Sequence, residues 1–111
     1  MKPPRKIKLG GQVWSLHFGE IPKEYAEYFG DELENLFGCT NREKMEIWIG
    51  SKYSIAIQKQ TLLHELMHAI AYAFVPQSFS AFDEKEIERL SCALYALIEQ
   101  NKLLIEWLSK E

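Results

Sequence analysis

Thr61-Leu62-Leu63-His64-Glu65-Leu66-Met67-His68-Ala69-Ile70-Ala71 is the stretch on which the reading of this chain turns. No proline interrupts residues 54–75, and the residues around the three polar ones are almost all apolar. That pattern predicts a helix that enters a core. In such a helix His64 and His68 fall one turn apart on one face, so both imidazoles can reach a single metal ion. Glu65 sits just off that axis, where a carboxylate can hold a water beside the metal and take its proton. Packing does not require a carboxylate after the first histidine, and glutamate is rarely placed in a core without a partner. H-E-x-x-H in this setting points to Zn²⁺ and to hydrolysis. The competing reading is a buried helix with two incidental, hydrogen-bonded histidines.

The remaining composition sets bounds. At 111 residues the chain is expected to form a single domain, residues 1–111, with a modest core. Its net charge of −3 leaves no basic footprint for nucleic acid. Lys2, Arg5, Lys6 and Lys8 make a locally basic start, read as a solvated arm. Pro3, Pro4, Gly10 and Gly11 break up any signal-peptide core, and no run of eighteen apolar residues predicts a membrane span. Cys39 and Cys92 lie far apart and form neither a C-x-x-C pair nor a disulfide framework. Together these features suggest a cytoplasmic protein of a bacterium or of a virus infecting one.

Outward from the motif, Ile7 to Leu9 and Val13 to Phe18 read as two strands joined at Gly10-Gly11. Ile21-Pro22 opens a short helix that Gly30 ends. Leu36 to Thr40 and Met45 to Ile49 form a hairpin about the polar turn Asn41 to Lys44. The motif helix then runs from Ser54 or Ala56 to Phe74 and stops before Pro76. After the connection Gln77 to Phe82, Asp83 caps a helix over residues 84–100, with Ile87, Leu90, Ser91, Leu94, Leu97 and Ile98 as its buried stripe. Leu103 to Leu108 predicts a last helix, docked on the body by Trp107; its apolar residues also suit a homodimer or a partner subunit, the less favoured choice. Strands precede helices, so the class is α+β: a small N-terminal antiparallel sheet packed on the metal helix and a following C-terminal helix.

A catalytic zinc takes three protein ligands and keeps one position open. The third histidine, His17, lies far upstream. Acidic residues cluster at Asp83-Glu84-Lys85-Glu86-Ile87-Glu88. Glu84 and Glu88 share a helix face flanking the buried stripe, while Glu86 points elsewhere. Glu84 is the first choice as third ligand, with Glu88 one turn on to accept a hydrogen bond from a ligating imidazole. The reverse assignment is the main competitor. Tyr72, one turn beyond His68, is a candidate hydrogen-bond donor to an oxyanion, although packing is the better reading; His17 is a weaker candidate.

H-E-L-M-H followed by a glutamate on a later helix is similar to the gluzincin arrangement. With strands ahead of the metal helix, the chain resembles the ImmA/IrrE-type metallopeptidases and related small phage-encoded peptidase-like proteins, over residues 46–97. Glu84, Glu88 and Leu90-Ser91-Cys92-Ala93-Leu94 fit the ligand helix of that family, although its usual Phe-Ala pair and the C-terminal extension of larger members are absent. The resemblance implies a minimal zincin-like fold and a zinc-dependent metallopeptidase that cuts a peptide bond in a protein or peptide substrate. His64, His68 and Glu84 would hold the metal, and Glu65 would be the general base. The strand Met45 to Ile49 is a candidate edge for an extended substrate, and the competing reading is an ordinary core strand. The alternative is a zinc-stabilised binding or structural module whose H-E-x-x-H site is not used catalytically.

Overall fold

Gly10 adopts φ +61, a left-handed value that is open to a residue without a Cβ. It closes a two-residue loop between β1 (Lys6–Leu9) and β2 (Gln12–Gly19), which pair antiparallel with Leu9 opposite Gln12. The computed structural model describes residues 2–25, 36–74 and 83–110. After residues 23–25, which are helical, come β3 (Gly38–Asn41), β4 (Glu46–Gly50), α1 (Ile55–Phe74), α2 (Glu84–Gln100) and α3 (Lys102–Ser109). The class is α+β. The expected end of the first helix at Gly30, the stop at Pro76 and the connection Gln77 to Phe82 lie outside the described residues.

The sheet is mixed rather than purely antiparallel. Its order is β1-β2-β4-β3, and β2 pairs parallel with β4. β4 therefore lies inside the sheet, between β2 and β3, as the core-strand reading of Met45 to Ile49 has it, and is not a substrate-receiving edge. The cause is legible in Ile47-Trp48-Ile49: three large apolar residues in a row fill both faces of a strand, which suits an interior position. The edge beside the helices is β3.

Each sheet face carries its own core. Trp14 and Leu16 of β2, Ile47 and Ile49 of β4, and Ala69 of α1 are buried together, with Leu62, Leu66 and Tyr72 packed against them. The spacing Leu62, Leu66, Ala69 is the apolar stripe of a helix lying on a sheet. On the opposite face Ile21, Tyr25, Leu36 and Cys39 form a second cluster with Trp48. The Tyr25 hydroxyl donates to Glu46 Oε1 at 2.6 Å, and Trp48 Nε1 donates to the same oxygen at 3.3 Å. His17 stacks on Trp48 with ring centroids 4.3 Å apart.

Two expectations about the helices are corrected. In α2 only Ile87 and Ser91 are fully buried, while Leu90, Leu97 and Ile98 are exposed. Trp107 does not dock α3 on the body: it is 73% exposed, and no residue of α3 is buried. α3 follows directly on α2 at Asn101, and Leu103, Leu104, Trp107 and Leu108 are all exposed.

The Tyr25 hydrogen bond, opposed by burial, holds the Glu46 pKa below its ordinary 4.5. A carboxylate whose pKa folding lowers contributes stability above the ordinary value, and that stability is lost as pH falls through the folded pKa. Tyr25→Phe is expected to cost about 1–2 kcal/mol at neutral pH. The gap to wild type should narrow in acid once Glu46 is protonated. Urea melts at neutral and acid pH check this, and a gap of constant size would remove Glu46 from the account.

Candidate metal centre

Ser54 starts α1 as its N-cap: its Oγ accepts from Ile57 N at 3.3 Å and its carbonyl from Gln58 N at 2.9 Å. With the Leu62-Leu66-Ala69 stripe on the sheet, the remaining faces of α1 are set. Glu65 turns toward β3 and is buried, at 8% exposure, while His64 and His68 lie half-buried on the side that meets α2. Asp83 starts α2 in the same manner, its Oδ1 accepting from Glu86 N at 2.8 Å. Ile87 and Ser91, fully buried, fix the rotation of α2 so that Glu84 and Glu88 face the motif helix.

The structure brings His64, His68 and Glu84 together, each offering one donor atom, all within 4.8 Å of one another. Glu84 Oε1 lies 2.5 Å from His64 Nε2, and its Oε2 lies 3.3 Å from His68 Nε2. Glu88 Oε2 meets the other ring nitrogen of His64, Nδ1, at 2.7 Å. Two imidazole nitrogens and a carboxylate suit zinc. Glu88 occupies the place expected of a group that fixes the tautomer of a ligating histidine. Glu86 stands apart from the group, its backbone N–H serving the helix cap.

The electrostatics follow from this crowding. Burial lowers the His64 pKa, but the Glu65, Glu84 and Glu88 carboxylates outweigh it, and the net shift is upward. Burial raises the Glu65 pKa, against the Thr40 hydrogen bond and the neighbouring histidines. Thr40 Oγ1, on β3, lies 2.7 Å from Glu65 Oε1 and donates to it; the Glu65 carbonyl is a longer second acceptor at 3.2 Å. The edge strand thus holds the carboxylate of the motif.

Gly38 explains how β3 comes so close. A Cβ there would lie 2.7 Å from Thr61 Cγ2 and 2.8 Å from the Trp48 carbonyl oxygen, so only glycine lets strand and helix approach. Two adjoining hollows open along this seam, sharing Leu36, Gly38, Glu65 and Glu84. One, of about 450 Å³, continues past His64 to Phe37 and Ile57. The other, of about 460 Å³, continues past Thr40 and His68 to Tyr72.

Tyr72 packs against the core and also borders the second hollow, with the Arg42 guanidinium 5.3 Å over its ring. His17 is not brought to the site. It stacks on Trp48 on the opposite face of the sheet, so it is no candidate for an oxyanion donor there. Burial, followed by the Glu65 and Glu46 charges, pushes the Cys39 thiol up to about 12, leaving it a small apolar core residue. Sequence reasoning missed Gly38, Thr40, Phe37 and Ile57. The run Leu36 to Thr40 reads as a strand, but only its tertiary neighbour shows that it borders the motif. No family model, no curated protein and no solved structure matches this chain.

If this group binds zinc, Glu88→Gln is expected to weaken affinity by about 10–100-fold, as loss of a ligand-orienting partner does. Glu84→Ala should weaken it further, and Glu86→Ala should not change it. Competition with a chromophoric chelator reads all three. Equal effects of Glu84→Ala and Glu86→Ala would overturn the ligand assignment.

Proposed function

We propose that this protein is a zinc-dependent metallopeptidase acting on a protein or peptide substrate. The observation that carries the reading is the junction of three donors, His64, His68 and Glu84, with a separate buried carboxylate, Glu65, along two adjoining hollows beside β3, the edge of the sheet among the described residues. Among the described residues the donor group has three members. A purely structural zinc site is normally closed by a fourth protein ligand and has no use for an adjacent base. That difference favours the peptidase over the zinc-stabilised module.

Zinc, when bound, would lower the pKa of a water and polarise a scissile carbonyl. Glu65 accepts the proton from a water in the cleft and passes it to the leaving amine. Burial raises the proton affinity of its carboxylate, and Thr40 holds one oxygen so that the other remains for the water. Glu88 fixes His64 by accepting a hydrogen bond from Nδ1–H, which leaves the Nε2 lone pair for the metal. β3 supplies an edge along which an extended chain can lie. The free thiols of Cys39 and Cys92 accord with a cytoplasmic setting, which belongs to the same proposal. No helix among the described residues is long and apolar enough to cross a membrane.

Glu65→Gln tests this reading. The variant is expected to take up zinc as the wild type does and to lose hydrolysis of a mixed peptide library by a factor of about 10² or more, the worth of a general base. Mass spectrometry of the digests measures this. Zinc-loaded wild type that cuts nothing, or a variant as active as wild type, would overturn it.

A further inference from the structure

We propose that the exposed apolar face of α3 is a docking surface for a second copy of this chain, and that two copies pair through their α3 helices running antiparallel. Leu103 is 82% exposed, Trp107 73% and Leu108 62%, and Leu104 is the least exposed of the four at 41%. At about 100° per residue these positions fall within about 140° of one another, so they make one face. Ile105 points away from that face and is half-buried. Single exposed leucines are ordinary on a surface. Four large apolar side chains on one short helix, with Leu97 and Ile98 exposed in the last turn of α2 just before them, mark an interaction surface.

The order of the residues indicates what covers this face. Reversed about its midpoint, between Ile105 and Glu106, the run Leu103-Leu104-Ile105-Glu106-Trp107-Leu108 exchanges Leu103 with Leu108 and Leu104 with Trp107. An antiparallel copy therefore sets apolar against apolar at every exposed position. A two-fold interface needs a face that complements itself in this way, whereas a face built for a different protein does not. Charge agrees. Lys102, Glu106 and Lys110 form a row beside the face, and Lys110 Nζ is held by Glu106 Oε1 at 3.0 Å within the helix, so no charge on the face repels its copy. The area is sufficient as well. At these exposures the six side chains hold roughly 700 Å² of apolar surface, close to the ~800 Å² per partner of a stable interface of standard size. α3 begins one α2 length, about 25 Å, from Glu84, so the face lies apart from the metal-donor group.

Sedimentation velocity of the full chain, from low-micromolar to submillimolar concentration, tests this. The wild type is expected to pass from monomer to dimer with no larger species, because a two-fold contact closes on itself. Leu103→Ser and Trp107→Ser each remove one apolar side chain from the face and should weaken dimerisation about tenfold or more. Both positions are exposed, so the melting curve at low concentration should stay as it is in the wild type. Val13→Ser is the control: Val13 is 51% exposed and lies by the β1–β2 loop, which meets Phe74 at the far end of α1, and this variant should dimerise as the wild type does. A wild type that stays monomeric throughout would overturn the proposal and leave the face to a different partner or to this chain itself. A dimer that survives both α3 substitutions, or that the control weakens equally, would overturn it too.

Discussion

A carboxylate buried between a helix and a sheet must be satisfied, and the rest of this structure is arranged around that requirement. Left without a partner, Glu65 would cost several kcal/mol. The Thr40 hydroxyl meets it at 2.7 Å, and the cost is contained only while β3 and α1 stay in contact. Gly38 permits that contact, because a side chain there would strike Thr61. Ala69, with no exposed surface, packs a turn later against Trp14, Leu16, Ile47 and Ile49 of β2 and β4. Turning α1 by one residue, about 100°, would break the Thr40 bond and lift the Leu62-Leu66-Ala69 stripe off the sheet. One helix orientation thus satisfies both the core and the carboxylate.

That orientation leaves His64 and His68 on the flank where α2 arrives. The first turn of α2 is held by the Asp83 cap and by Ile87 and Ser91 beneath it. Glu84 then lies between the two imidazoles, and Glu88 backs the first of them. Three negative side chains in so small a space repel one another, and the histidines compensate for them only in part. A divalent cation would relieve the repulsion more fully, and the proposal of zinc draws on this electrostatic balance as much as on the motif.

The second core, behind the sheet, matters to the site through rigidity. Trp48, Tyr25 and His17 clamp β4 from the far side, and β4 in turn holds β3 at its register opposite Ile47 and Trp48. The edge strand is therefore braced by an interior strand, so that Thr40 and Phe37 are presented by a stiff element. α3 takes no part in this. Its leucines and Trp107 are exposed.

Much of this was legible in local sequence. The helix of the motif, its start at Ser54, the Asp83 cap and the pairing of Glu84 with Glu88 on one face all follow from residues within a turn or two of one another, where helical periodicity and capping chemistry act. The strand pattern and the two-residue turn at Gly10-Gly11 follow for the same reason. What only the tertiary structure decided is which strand borders the motif. Leu36 to Thr40 and Met45 to Ile49 are both plausible edges when read alone, and the parallel pairing of β2 with β4 put the second inside and left β3 at the edge among the described residues. Thr40 and Glu65 are 25 residues apart and meet through packing, so no local pattern announces their bond. The exposure of Trp107 was equally hidden, because an amphipathic helix carries the same periodicity whether or not a surface lies beneath it.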